Sequence, residues 1–121
     1  MGDSFKDLVV WQKAVQLSLI VYKMTASFPE SELFGLTNQL RRASVSIASN
    51  IAEGYGRSSK GEYLVFLGHA RGSVFELQTQ LLIAKGLGFG KEAARAEAQS
   101  LSEEVSRMLV AIMNRLKIKT R

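Results

Sequence analysis

The sequence holds no cysteine, one proline, one tryptophan and a single histidine, His69, in 121 residues. Without cysteine there is no disulfide, thiol nucleophile or thiolate metal site, which fits a reducing cytoplasm. A lone histidine cannot make a two-histidine zinc site within one chain, nor the paired Glu-x-x-His of di-iron bundles. Position 66, three before it, is phenylalanine. Apolar runs are short as well. The longest stretch without charge is Ala43 to Ala52, ten residues, against the roughly 20 that a membrane-spanning helix needs. The opening MGDSFKDLVVW carries acidic residues and no apolar run, so it does not read as a signal peptide. These absences point to a soluble, cytoplasmic, membrane-independent domain with no metal or other cofactor. Strand alternation and hairpin dipeptides are missing too.

What is present is helical periodicity. Leu40, Ala43, Ile47, Ile51 and Gly54 recur at spacings of three and four, one stripe of a helix. Tyr63, Leu67, Ala70, Val74, Leu77, Leu81 and Ala84 continue the same rhythm on a second helix. The turn GYGRSSK, Gly54 to Lys60, joins the two into a hairpin. Before it, Ala14, Leu17, Val21 and Met24 form a core stripe flanked by Trp11, Val15 and Tyr22, with Asp7 as the expected cap and Met1 to Lys6 as a loose arm. After GLGFG, Gly86 to Gly90, a fourth helix turns Ala94, Ala98, Leu101, Val105, Met108, Ile112 and Leu116 inward. Pro29 ends the first helix, Gly54 and Gly56 are expected to supply positive φ at the second reversal, and Ser59 to Glu62 reads as a capping box. The predicted fold is all-α: one domain, residues 1–121, a left-handed up-down-up-down four-helix bundle with helices at about 8–27, 33–54, 60–86 and 91–117.

The net charge of +5 sits largely in the tail: Arg115, Lys117, Lys119 and Arg121 leave twelve basic against eleven acidic groups in the first 114 residues. Such a tail suits the C-terminal end of a helix dipole. Electropositive surface on the body has to come from clustering, or from several copies brought together. The turn lacks the G-x-x-x-x-G-K-[ST] phosphate loop and joins two helices rather than leaving a strand. Arg57, Lys60 and the free N–H groups of the third helix still converge there, enough to hold an anion weakly or to make an ordinary solvated turn. Polar residues line the hairpin: Ser44, Ser46, Ser49, Asn50 and Glu53 on one helix, Arg71, Ser73 and Glu76 on the other. Antiparallel register brings Glu76 within reach of Arg41 or Arg42, and Arg71 within reach of Asn50 or Ser46. Two uses stay open for these arginines, as register-fixing ion pairs or as phosphate contacts.

Each hairpin helix also carries a second apolar line, Val45, Ala48, Ala52 and Tyr55 on one and Leu64, Gly68, Phe75 and Leu82 on the other. A helix covered on one side does not need two adjacent stripes. These eight residues are the expected contact between copies of the chain, the alternative being a wide core that they merely flank. His69, next to the core stripe, reads as a hydrogen-bonded or interface residue.

Three blocks carry a family resemblance: DLVVWQKAVQL (Asp7 to Leu17), FPESELFGLTNQLRRASVSIASNIAEGYGR (Phe28 to Arg57) and EYLVFLGHARGSVFELQTQLLIA (Glu62 to Ala84). In this order and spacing the chain resembles the four-helix bundle family of 23S rRNA intervening-sequence proteins, over nearly its whole length. Where members often have proline after Ser-Ile, this chain has Ala48. The resemblance implies a ring-shaped homopentamer. The family is also similar to the accessory variability determinant of diversity-generating retroelements, a basic pentameric bundle that associates with a reverse transcriptase and with nucleic acid. By that likeness the chain is a non-enzymatic scaffold or adapter for RNA or for an RNA-handling protein, with Arg41, Arg42, Arg57, Lys60 and Arg71 as candidate phosphate contacts. The alternative is a protein-interaction module that binds no nucleic acid.

Overall fold

The computed structural model describes residues 4–119, and all of its regular structure is helical. Helix α1 spans Val9–Thr25, α2 Leu36–Tyr55, α3 Lys60–Leu87 and α4 Glu92–Lys119. Each packs against its neighbours in sequence, and α4 closes the ring against α1. No diagonal pair touches among the described residues, so this is an up-down-up-down bundle, with α2 and α3 sharing the most extensive packing. The α1 stripe of Ala14, Leu17, Val21 and Met24 and the α2 stripe from Leu40 to Gly54 are buried throughout. On α3, Leu67 to Ala84 is buried and Tyr63 half-buried. Every leucine or isoleucine so enclosed contributes on the order of 1.5–3 kcal/mol.

The fourth helix differs from expectation. Its buried line is Ala98, Ser102, Val105 and Leu109, while Ala94, Leu101, Met108, Ile112 and Leu116 are only partly covered. Periodicity read from apolar residues alone misses Ser102, because a serine is buried only when its hydroxyl is satisfied. Here Ser102 Oγ donates to the Gln99 carbonyl (2.7 Å) and accepts from Gln78 Nε2 of α3 (3.0 Å). Ser44 does the same between α2 and α1, donating to the Arg41 carbonyl (2.9 Å) and accepting from Ser18 Oγ (3.0 Å). It therefore faces α1 and not the hairpin partner. A hydrogen bond between Ser46 and Ser73, 2.9 Å, joins α2 to α3.

The helix ends also depart from expectation. Asp7 does not cap α1. It lies in a short 3-10 turn, Phe5–Asp7, whose own cap is Ser4, and Leu8 precedes α1 without a side-chain cap. Phe5 stacks edge-on to Trp11 at 5.1 Å, so Ser4 to Lys6 are part of the fold and not a loose arm; Met1 to Asp3 lie outside the described residues. Gly54 and Gly56 do not have positive φ. Gly54 is required instead by packing, since a Cβ there would lie 2.7 Å from Phe66 Cβ and 3.1 Å from the Tyr63 ring. The left-handed glycines are Gly88 (φ 73°) and Gly90 (φ 78°), after α3. As expected, Ser59 caps α3, accepting the Glu62 N–H at 3.1 Å.

The α1–α2 and α3–α4 loops meet at one end of the bundle. Phe28, before Pro29, packs on Phe89 of the second loop with ring centres 5.6 Å apart. Arg95 Nη1 holds that loop by donating to the Phe89 and Gly90 carbonyls. The C-terminal end of α1 and the first turns of α2 therefore stand together on a braced base.

Candidate nucleic-acid interface

At that end a cleft of about 610 Å³ opens between α1 and α2, lined by Tyr22, Leu33, Phe34, Asn38, Arg41, Arg42, Val45 and Ser46. Its geometry begins with Thr25 in the last turn of α1. The Thr25 hydroxyl donates back to the Val21 carbonyl at 2.8 Å and accepts from Arg41 Nε at 2.9 Å. The guanidinium then lies over the Tyr22 ring, 4.6 Å from its centre, a favourable cation–π contact. Arg41 is thus held by Nε and one face, with its Nη groups free of protein acceptors among the described residues. Arg42 is exposed and makes no ion pair with any described residue. No carboxylate lines the cleft. The nearby Glu32 is engaged, its Oε1 accepting the Leu36 N–H at 3.0 Å where α2 begins.

The other three cationic candidates do not join this pair. Arg57 is about 24 Å along α2's direction from Arg41, at 1.5 Å per residue. It is ion-paired with Glu53 at 2.8 Å and lies over the Phe66 ring at 4.6 Å. Lys60 is exposed at the start of α3. Arg71 stacks on its own helix neighbour Phe75 at 5.1 Å, not against Asn50 or Ser46. Asn50 Nδ2 bonds Ser46 instead, to its carbonyl at 2.9 Å and its hydroxyl at 3.0 Å. Glu76 shares a cleft with Arg42 and Gln80, but among the described residues it forms no ion pair with either arginine. The polar contact across the hairpin is thus between serines and not between the charges expected there.

The apolar candidates divide in the same way. Ala48 belongs to the bundle's own core. Ala52, Tyr55, Leu64 and Gly68 are half-buried, and Tyr55 meets Tyr63 edge-on at 6.0 Å. Burial raises the Tyr63 phenol above its ordinary pKa; Tyr55 adds to the rise and Arg115 opposes it. Val45, Phe75 and Leu82 are exposed by 43, 48 and 69%. Phe75 and Leu82 border a groove of about 680 Å³ between α3 and α4, whose far wall carries Glu92, Arg95, Gln99 and Glu103. Gly68 and Gly72 have nothing within 4 Å of where a Cβ would stand. His69 is exposed and meets the edge of Phe66, at 5.8 Å. Among the described residues no group of three or more His, Cys, Asp or Glu side chains is placed to hold a metal ion. No described helix is long and apolar enough to cross a membrane.

Of the residues at this corner, sequence reasoning named Arg41 and Arg42 as candidates but not Thr25 or Phe34. Phe34, 91% exposed, sits in the loop where no periodicity assigns a face. Its signal is chemical: an aromatic placed outside any stripe, shortly before a pair of arginines.

Fold and site together define a small four-helix bundle with a cationic, aromatic corner. Within that class, the chain belongs to the family of 23S rRNA-intervening sequence proteins, whose model matches residues 6–111. It is also similar to a solved structure from Bacteroides thetaiotaomicron VPI-5482, a protein with unknown function from the S23 ribosomal protein family. That likeness has a TM-score of 0.78 at 21% identity and covers 87% of this chain and 98% of the other, so what it carries is the fold. Comparison with curated proteins found no match.

Proposed function

We propose that the chain is a cytoplasmic, non-enzymatic, homo-oligomeric scaffold, a pentamer, that associates with RNA or with an RNA-handling protein. The observation that carries this reading is the corner cleft. Two guanidiniums meet there without a carboxylate, one of them already oriented by Thr25 and Tyr22. A planar fork held in place loses little entropy on meeting a phosphate. Repeating the corner around a ring multiplies a local charge that the near-neutral body of one chain does not supply.

Self-association is supported by the exposed Phe75 and Leu82 beside two mid-helix glycines that no side chain covers. Glycine inside a helix costs up to about 1 kcal/mol, which close approach by another backbone would offset. Phe75→Asp should therefore lower the mass seen in sedimentation while leaving the helical circular dichroism intact. An unchanged mass would remove Phe75 from the interface. A second reading, a protein-interaction module without nucleic acid, is favoured by the α3–α4 groove, whose charges balance and whose near wall carries Phe75, Leu81 and Leu82.

Binding to labelled structured RNA at low and high salt, with oligomeric mass measured in the same buffers, separates the two. Phosphate contacts weaken steeply with salt; an apolar groove does not. Absence of binding at low salt by the intact oligomer would overturn the RNA reading and leave the groove as the site to pursue.

A further inference from the structure

We propose that the corner cleft takes an unpaired, unstacked nucleotide of single-stranded RNA, its base on Phe34 and its phosphate on Arg41 and Arg42. The proposal rests on the RNA reading above and narrows it to a class of ligand. Charge separates this cleft from the others described. The α3–α4 groove sets Lys85 and Arg95 against Glu92 and Glu103, and the clefts along α2 and α3 both contain Glu76. Of these four, the corner alone offers two cations and no acid among its lining residues, which is complementarity to a phosphate.

The choice of single strand over duplex comes from the aromatics. The guanidinium of Arg41 covers one face of Tyr22. Phe34 lines the same cleft, is 91% exposed and stacks on no other described ring. An exposed phenylalanine beside a guanidinium fork finds no free base face on duplex RNA, whose bases are stacked inside and whose major groove is too narrow for side chains. An unstacked base presents a π-face, and stacking on an aromatic side chain beside cationic backbone contacts is how single strands are held. A concave space of about 610 Å³ accommodates a base turned inward. Leu33 and Val45, also exposed, supply an apolar floor around the ring.

The test is fluorescence anisotropy with a labelled single strand of about 12 nucleotides, within the range of known single-strand site sizes, and with its fully paired duplex. Each is titrated with wild type and with Phe34→Ala, with mass and circular dichroism recorded for both proteins. The expected result is tighter binding of the single strand at equal salt. Phe34→Ala should weaken it about tenfold with an unchanged salt slope, and Phe34→Trp should restore it. A 2-aminopurine in the strand should be quenched by wild type and not by Phe34→Ala. Equal binding of strand and duplex, or no effect of Phe34→Ala, would overturn this proposal while leaving RNA association standing. A fall in oligomeric mass for Phe34→Ala would overturn it too, assigning Phe34 to contacts between copies. No binding of either nucleic acid at low salt would remove the RNA reading itself.

Discussion

The two ends of α2 use arginine in opposite ways. At the turn, Arg57 is paired with Glu53 and lies on Phe66, and the backbone beside it is drawn so close to α3 that Gly54 has no room for a Cβ. At the corner, Arg41 is anchored by a threonine and a tyrosine that take up its Nε and one face and leave its charge uncompensated, next to Arg42, which no acid in the cleft neutralises. One end is closed and internally satisfied; the other is braced but open. Anchoring a guanidinium without neutralising it leaves its charge available to a ligand. It prepares a site. Exposure alone would not have distinguished Arg42 from Lys60; the surroundings do.

That contrast can be broken most forcefully at the closed end. Gly54→Val forces a branched side chain into Phe66 and Tyr63, and overpacking of this kind costs typically about 1–3 kcal/mol. We expect the upper part of that range, read as a lower urea midpoint at unchanged slope. A shift under about 0.5 kcal/mol would mean that α2 and α3 separate easily and that the turn is not closed. Corner RNA affinity per folded molecule should not change. A smaller effect of opposite sign is expected halfway along α3. Gly68→Ala and Gly72→Ala meet open space, so in the monomeric Phe75→Asp background each should stabilise by up to about 1 kcal/mol. In the assembled protein that gain should shrink or reverse. An equal gain in both backgrounds would take these glycines out of the interface between copies.

The fold was largely legible because its signals are periodic. The α1, α2 and α3 stripes are the buried lines, the hairpin register agrees with the Ser46–Ser73 bond, and Ser59 caps α3 as the capping-box spacing requires. Failures came where burial depends on a hydrogen bond or on shape. Ser44 and Ser102 look polar in the sequence, yet each is buried because it donates to a carbonyl of its own helix and accepts from the neighbouring one. Gly54 looked like a turn residue; its reason is the approach of Phe66, which only the packed hairpin reveals. Asp7 had the right chemistry for a cap, but it lies within the 3-10 turn that precedes α1. The candidate site was half legible. Charge picked out five basic residues, and no local rule could say that two of them would share an acid-free cleft with an exposed phenylalanine from a loop, while another would be neutralised by Glu53 four residues away.

The most direct test of the corner as the RNA-binding surface is the salt slope of RNA binding in two double variants. Arg41→Ala with Arg42→Ala should weaken binding and lower the slope by about 0.7 to 1, for the one phosphate that is no longer neutralised. Arg57→Ala with Lys60→Ala should leave affinity and slope nearly as in wild type. Equal weakening in both variants would mean diffuse attraction to the whole surface. Weakening confined to the turn variant would contradict the corner outright and place RNA at the closed end of the hairpin.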